Sequence, residues 1–155
     1  MPMKTSPERA RTAASPASDA GGADEPPPQY STIRVADSSI HGRGVFARRK
    51  IRKGEVVIVN PALPLNEGDV RDDDLIARYC FEWPKNGDGR AIALGEASLL
   101  NHAPDAPADA ADSDAVYSNL RWRTDTHHDQ VIFTAFRTIE AGEECLIDYG
   151  EDYKW

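Results

Sequence analysis

The sequence predicts a mostly β domain, and three observations support that fold class. Short runs rich in β-branched residues recur along the chain, Gly, Pro and Asn cluster between the runs, and helical periodicity is scarce. A short acidic-led segment, 72–79, is the one expected helix, since acidic residues favour a helix N-terminus. The expected strands, in chain order, are 32–38, 54–60, 80–83, 89–94, 119–125, 130–139 and 143–150.

Turn residues connect these strands. The loop "PKNGDG" is expected to join two strands as a hairpin, and "THHD" to join the next two. Ala141-Gly142 predicts a turn before the last strand, which ends at Gly150. Gly42, Gly44 and Gly54 are assigned to turns in the first third of the chain.

The chain divides into a tail, residues 1–30, and one domain, residues 31–155. The tail is rich in Pro, Ala and Ser with almost no large apolar residue, so we expect it to be disordered. It lacks the apolar core of a secretion signal, and no stretch is long enough to span a membrane. A cytoplasmic location is expected, with delivery to a host cell or a nucleus left open.

Charge and cysteine content narrow the function classes. The 155 residues hold 18 Lys and Arg against 26 Asp and Glu, a net charge of −8, which disfavours nucleic acid and suits cationic partners. Cys80 and Cys145 are too few for a disulfide framework or a four-thiolate zinc site. The adjacent His127 and His128 would point apart at a hairpin tip, so no metal site is predicted. No signal indicates an oligomeric state.

Three stretches could carry chemistry: "HGRGVFA", "SLLNHA" and "ECLIDYGEDYKW". Glycines let a backbone approach a ligand closely, and an apolar run that ends on Asn101-His102 needs partners for both side chains. Taken singly, each stretch has a plain structural alternative: a turn, a capped strand, and an aromatic packing residue at Tyr149.

In this order the three stretches resemble the SET-domain protein lysine methyltransferases. The match runs from about Ile33 to Trp155, with "LLNH" similar to the family's Asn-His signature and "AGEECLIDYG" to its Gly-Glu-Glu-x-x-x-Asp-Tyr-Gly signature. The resemblance implies several small sheets, little helix and a C-terminal pseudoknot. It also implies S-adenosylmethionine as the methyl donor and a lysine in a basic, possibly histone-like, protein or peptide as the acceptor.

The resemblance also implies roles for individual residues. Tyr149 would be catalytic, while Ile147 and Trp155 would line the lysine channel. For Trp155, a terminal aromatic packed on the surface is an equal alternative. The cofactor would be bound by Gly42, Arg43 and Gly44 beside its methionine part, Asn101 at its amino-acid group, His102 through its backbone at the adenine, and Tyr153 over the adenine ring.

The chain departs from the family pattern at several positions. Ala103 follows the Asn-His pair where the family has Ser, and Asn119 stands for a family Asn after an inserted loop. Asn60 falls where many members have a channel Tyr, and Ile147 leaves the number of methyl groups open. Because of these departures, a second function remains an alternative: a catalytically silent SET-like module that only binds peptide.

Overall fold

Two β-sheets make up the described part of the chain, which is residues 32–72, 75–108 and 115–150 of a computed structural model. The first sheet has strand order β1-β2-β9-β6 and the second has order β4-β5-β3-β8-β7. The tail predicted for residues 1–30 lies outside the described residues. The division into a tail and a domain of residues 31–155 therefore stays a prediction.

The first sheet brings together the two ends of the domain. Strand β1 pairs antiparallel with β2, and β2 pairs antiparallel with β9. Strand β6 pairs with β9 in parallel, with Asn101 beside Leu146 and His102 beside Ile147. The bounds of these strands are β1 Ile33–Asp37, β2 Arg43–Ala47, β6 Asn101–His102 and β9 Glu144–Ile147.

The second sheet is antiparallel throughout and contains most of the long strands. Its central strand, β3, pairs with β5 on one side and β8 on the other, while β4 and β7 form the two edges. The bounds of these strands are β3 Val56–Leu65, β4 Cys80–Trp83, β5 Gly89–Ala93, β7 Leu120–Asp125 and β8 Gln130–Ala135.

The mostly β fold class is confirmed, with two local corrections. The sequence places turns at Gly42 and Gly44; Gly42 precedes strand β2 with a φ of +47°, but Gly44 lies within that strand, Arg43–Ala47. The expected helix 72–79 is a 3-10 helix over Leu75–Tyr79. None of its residues is buried, so no packing against the core favours a longer α-helix. A second 3-10 helix, Glu96–Leu99, lies directly before β6.

Strand β9 passes between two parts of one segment. The Ala103 amide donates to the Ile147 carbonyl at 3.0 Å, and the Asn119 amide donates to the Leu146 carbonyl at 3.0 Å. Carbonyls of adjacent strand residues point to opposite edges, so residues 103 and 119 flank β9 on its two sides. This is the pseudoknot that the resemblance implies, and it is an exception to the rule against threaded loops.

Asn119 fastens this crossing with its side chain. The residue is fully buried, its amide oxygen accepts from the Leu146 N–H at 2.9 Å, and its amide nitrogen donates to the Glu144 carbonyl at 2.7 Å. Around the crossing lies the apolar core. Its largest fully buried side chains are Phe133, Ile51, Leu100, Leu120, Ile139, Leu146, Val45 and Val131.

Within the described ranges, no helix is both long enough and apolar enough to cross a membrane.

Candidate active site

Tyr149 and His102 meet at the C-terminal end of β9, although 47 residues separate them in sequence. The Tyr149 N–H donates to His102 Nδ1 at 3.1 Å, and the two rings lie 5.2 Å apart between centroids. The Tyr149 hydroxyl donates to the carbonyl oxygen of Leu100. The phenol is therefore held by the backbone of the residue that precedes the Asn-His pair.

The His102 tautomer follows from this contact. A backbone N–H can only donate, so Nδ1 is the acceptor and the ring proton of the neutral imidazole lies on Nε2. The Asp148 carboxylate lies 3.9 Å from the same nitrogen. His102 thus orients the Tyr149 backbone through Nδ1.

Asn101 connects β6 to the glycine-containing loop. Its buried amide nitrogen donates to the carbonyls of His41 at 3.1 Å and Arg43 at 3.2 Å, and to Glu144 Oε1 at 2.8 Å. The other Glu144 oxygen accepts from the Ser38 hydroxyl at 2.9 Å. This network holds the loop against β9 and leaves the Asn101 carbonyl oxygen as the side-chain acceptor for a ligand.

Gly44 is required by the same network. A Cβ at this position would lie 2.0 Å from Glu144 Oε1 and 3.1 Å from Asn101 Nδ2. Gly42 has a φ of +47°, and a Cβ there would meet no atom within 4 Å. The first glycine therefore provides a left-handed turn beside open space, and the second allows close approach of the loop to Glu144.

A partly open pocket of about 130 Å³ lies beside Tyr149. The predicted channel residue Ile147 contributes to it and is 2% exposed. Aromatic side chains that the sequence did not indicate form much of its wall. They are Tyr79, Phe81 and Trp122. Phe81 packs edge-on against Trp122 with ring centroids 5.3 Å apart, so one side of the pocket is aromatic, while Arg78, Glu82 and Asp148 add charged groups to its lining.

Lys85 lies at the edge of this wall. Its Nζ donates to the Trp122 carbonyl at 2.8 Å and stands 4.3 Å from the Trp122 ring centroid, a cation–π contact. Burial lowers the pKa of Lys85. Lys85, Trp122 and Tyr149 also line a neighbouring depression, so a cation already stands at one side of the aromatic wall.

Asn60 does not lie where the family pattern suggests. It is 3% exposed and is not among the residues that line the pocket beside Tyr149. Its amide oxygen accepts from the Ala97 N–H at 2.8 Å, in the 3-10 helix that leads to Leu100. The residue that the family pattern places in the channel wall therefore makes a buried polar contact between β3 and that helix instead.

Two other residues from the sequence motifs, Cys145 and His128, take part in structural contacts. Burial, followed by the nearby charges of Glu143 and Glu144, raises the pKa of Cys145 to about 12, so its thiol is not a nucleophile at neutral pH. His128 pairs with Asp125 at 2.9 Å in the hairpin turn. Across the described ranges, no group of three His, Cys, Asp or Glu side chains could hold a metal ion.

The structure therefore brings five predicted residues into one region: Gly42, Gly44, Asn101, His102 and Tyr149. Arg43 belongs to the same loop, with its side chain exposed. Ile147 lines the adjoining pocket. Tyr153 and Trp155 lie outside the described residues, and their roles stay predictions. The Asn101 amide, the His102 imidazole and the Tyr149 phenol lie together at the end of β9, beside a pocket with an aromatic wall. This arrangement is the one expected of the methyltransferases that the motifs resemble.

Comparisons with known proteins agree. A SET-domain family profile matches residues 42–150. A Schizosaccharomyces pombe protein named histone-lysine N-methyltransferase, H3 lysine-37 specific, is 25% identical over 128 residues, which span 81% of this chain and 77% of that protein. A candidate histone methyltransferase of Plasmodium falciparum superposes with a TM-score of 0.57 at 25% identity, covering 79% of this chain and 96% of that chain.

The fold recurs in a larger assembly. A chain of Chaetomium thermophilum Polycomb Repressive Complex 2 superposes with a TM-score of 0.55 at 23% identity, covering 79% of this chain but 15% of that chain. The protein belongs to the SET-domain family. The predicted family, fold class and enzyme class, a protein-lysine methyltransferase, are confirmed.

Proposed function

We propose that this SET-domain protein transfers a methyl group from S-adenosylmethionine to the side-chain amine of a lysine in a basic protein segment. The observation that carries the proposal is the position of Tyr149. Its backbone is bonded to His102 and its phenol to the Leu100 carbonyl, beside a pocket whose wall includes Ile147.

The loop over residues 41–44 and the adjoining Asn101 fit the charged end of the cofactor. The carbonyls of His41 and Arg43 accept from the Asn101 amide nitrogen, and we propose that the Asn101 side-chain oxygen accepts from the ammonium group of the cofactor. Strand β6 is the outer strand of its sheet, so one side of the His102 backbone faces away from β9, as adenine recognition requires. Tyr153 over the adenine remains part of the proposal.

When bound, the cofactor supplies an electrophilic methyl group on a positively charged sulfur. The protein must then hold a neutral amine in line with that methyl. A free lysine has a pKa of about 10.4, so neutralising it at pH 7 costs about 4.6 kcal/mol. Burial of the amine against Phe81 and Trp122 would favour its neutral form, while the Glu82 and Asp148 carboxylates of the same pocket would attract the lysine as it enters.

Tyr149 orients the amine. Its hydroxyl proton is directed to the Leu100 carbonyl, so the phenol oxygen presents lone pairs as acceptors. An amine that donates to this oxygen would be held in one orientation, which leaves its lone pair for the methyl group. Orientation of this kind supplies about 7–11 kcal/mol of a displacement barrier when the reacting atoms are well aligned.

The substrate class follows from the charge and from the free sheet edge. The chain carries a net charge of −8, which favours a segment rich in Lys and Arg. Strand β4 is an edge strand, and its residues Cys80, Phe81 and Glu82 line the pocket beside Tyr149. We propose that the substrate adds to this edge as an extended strand, with a histone tail as one candidate.

The test is the variant Tyr149→Phe, assayed by mass spectrometry on mixed basic proteins with S-adenosylmethionine. We expect kcat to fall at least tenfold while calorimetry shows unchanged cofactor affinity, because the phenol acts in the transition state. Tyr117→Phe is the matched control, since Tyr117 lines a different depression from the pocket beside Tyr149. The same spectra report the number of methyl groups added.

Two results would contradict the proposal. Wild-type turnover in Tyr149→Phe would remove Tyr149 from catalysis. Binding of a basic peptide without any methyl transfer would instead support the silent binding module. Cell fractionation tests the proposed cytoplasmic location, which is separate from the chemistry.

A further inference from the structure

We infer that Asn60 is a positioning residue for the catalytic tyrosine, acting through the 3-10 helix Glu96–Leu99. The inference rests on the proposed role of Tyr149 and extends it to a buried side chain that does not line the pocket. The observation that carries it is the contact between the Asn60 amide and the Ala97 backbone, three residues before the Leu100 carbonyl.

The Asn60 side chain bonds in two directions. Its amide oxygen accepts from the Ala97 N–H at 2.8 Å, and its amide nitrogen donates to Glu96 Oε2 at 3.4 Å and to the Val59 carbonyl at 3.2 Å. Asn60 itself lies on β3, opposite Val131 of β8. The 3-10 helix is therefore tied to the centre of the second sheet through one buried amide.

Gly95 shows how closely the two parts fit. Its backbone has φ 133° and ψ −151°, a region that is essentially restricted to glycine. A Cβ there would lie 2.7 to 2.9 Å from three atoms of the Asn60 amide. The chain thus turns tightly over Asn60 before the helix begins, and this turn fixes where Ala97 and Leu100 stand.

Two features of the site depend on that helix. Ala97 and Ser98 contribute to the wall of the pocket beside Tyr149. Leu100, directly after the helix, provides the carbonyl that accepts from the Tyr149 hydroxyl. If the helix shifts, the phenol loses its acceptor and the pocket changes shape at its base. A displacement of 1 Å at a reacting group costs about 100-fold in rate.

Asn101 is held separately. Its bonds to the His41 and Arg43 carbonyls and its pairing with β9 do not involve Asn60. Loss of the Asn60 contact is therefore expected to lower kcat about 10- to 100-fold, with a change below threefold in cofactor affinity. A residue that only stabilises the fold would lower the amount of folded protein and leave kcat of the folded fraction unchanged.

The experiment compares three variants with the wild type: Asn60→Asp, the double variant Asn60→Asp with Glu96→Gln, and Asn66→Asp. Asp at position 60 keeps an acceptor for Ala97 but faces the Glu96 carboxylate, so the two like charges repel. In the double variant, the Gln amide nitrogen at position 96 donates to the Asp carboxylate at position 60. The hydrogen bond between the two positions is thus restored with donor and acceptor exchanged. We expect kcat to fall in the single variant and to recover at least fivefold in the double one.

Asn66→Asp is the matched control. Asn66 is exposed, follows β3 and bonds a carboxylate, Asp69, at 3.1 Å, so the chemical change is the same away from the pocket. We expect wild-type kcat there.

A readout that needs no turnover separates this inference from the proposed function. Hydrogen exchange at the Ala97 amide and the NMR shift of the Tyr149 ring should both change in Asn60→Asp and return toward wild type in the double variant. If neither changes, or if the double variant shows no recovery while folded, the inference is wrong. If both change as expected but the wild type transfers no methyl group, the positioning contact stands and the proposed function fails.

Discussion

Replacement of Gly44 by Ala should damage both the fold and cofactor binding, because the loop has no room for a methyl group. A Cβ would lie 2.0 Å from Glu144 Oε1, well inside any real contact distance. The Glu144 carboxylate must then move and release the Ser38 hydroxyl, at 2.9 Å, and the Asn101 amide, at 2.8 Å.

The size of the effect follows from these two hydrogen bonds. Each hydrogen bond to a charged group contributes about 1.5–3 kcal/mol, and water replaces part of this at a half-buried carboxylate. We expect Gly44→Ala to lower the free energy of unfolding by about 2–4 kcal/mol. Displacement of the loop should also raise the Kd for S-adenosylmethionine by about 10- to 100-fold, which corresponds to about 1.4–2.8 kcal/mol.

Urea denaturation and calorimetry measure the two quantities, and Gly42→Ala is the control. At Gly42 a Cβ meets nothing within 4 Å, so only the left-handed backbone opposes the change, at a cost of about 1–2 kcal/mol. Adding Glu144→Asp to Gly44→Ala shortens the crowded side chain and should restore part of the stability. A Gly44→Ala protein with wild-type stability and affinity would refute the close fit at this loop.

Two further predictions concern the strand crossing. Asn119→Ala leaves the Leu146 amide and the Glu144 carbonyl without their buried partner. We expect urea titration to show a loss of about 2–5 kcal/mol in the free energy of unfolding. A loss below about 0.5 kcal/mol would contradict this contact. Burial tends to raise the pKa of Glu143, but the hydrogen bonds from Arg137 and the Glu140 amide outweigh it, so the pKa is lowered. Its contribution to stability is therefore present above the ordinary carboxyl pKa of 4.5 and is lost as pH falls below it. The difference in Tm between wild type and Glu143→Gln should shrink from pH 6 to pH 3, and a constant difference would count against the Arg137 contact.

Local patterns predicted most of the strands. The hairpin of β7 and β8 was readable because its alternation and its turn lie within 16 residues of chain, 120–135. Strand β2 was missed because its glycines suggest turns: its partner β1 is close in sequence, and only its second partner, β9, lies about 100 residues further along the chain. Distant pairing of this kind is decided by tertiary contacts, which local propensity does not report.

The site was predictable only in part. Asn101, His102 and Tyr149 were identified through the family resemblance, since no spacing rule connects residues that meet through a threaded strand. Phe81 and Trp122 were missed because they lie on β4 and β7, the two opposite edges of the second sheet, and meet only when that sheet curls. The available signal was an aromatic residue inside each of two expected strands, 80–83 and 119–125.

Asn60 shows a different limit. The family resemblance placed Asn60 where many members have a channel Tyr. The structure places the amide in a buried contact with the 3-10 helix instead. Such a residue acts through a neighbouring helix and does not touch the reacting atoms, so neither periodicity nor motif matching reveals its partner.

The crossing of β9 through the 103–119 segment sets the order in which the molecule can be completed. Tyr149 lies two residues after β9, and Asn101 and His102 pair with that strand, so a nascent chain that lacks residues 144–149 contains no assembled Asn101, His102 and Tyr149 centre. Pairings between such distant residues are slow to form. We therefore expect transferase competence to emerge in one late step of maturation, together with the last gain in resistance to proteolysis.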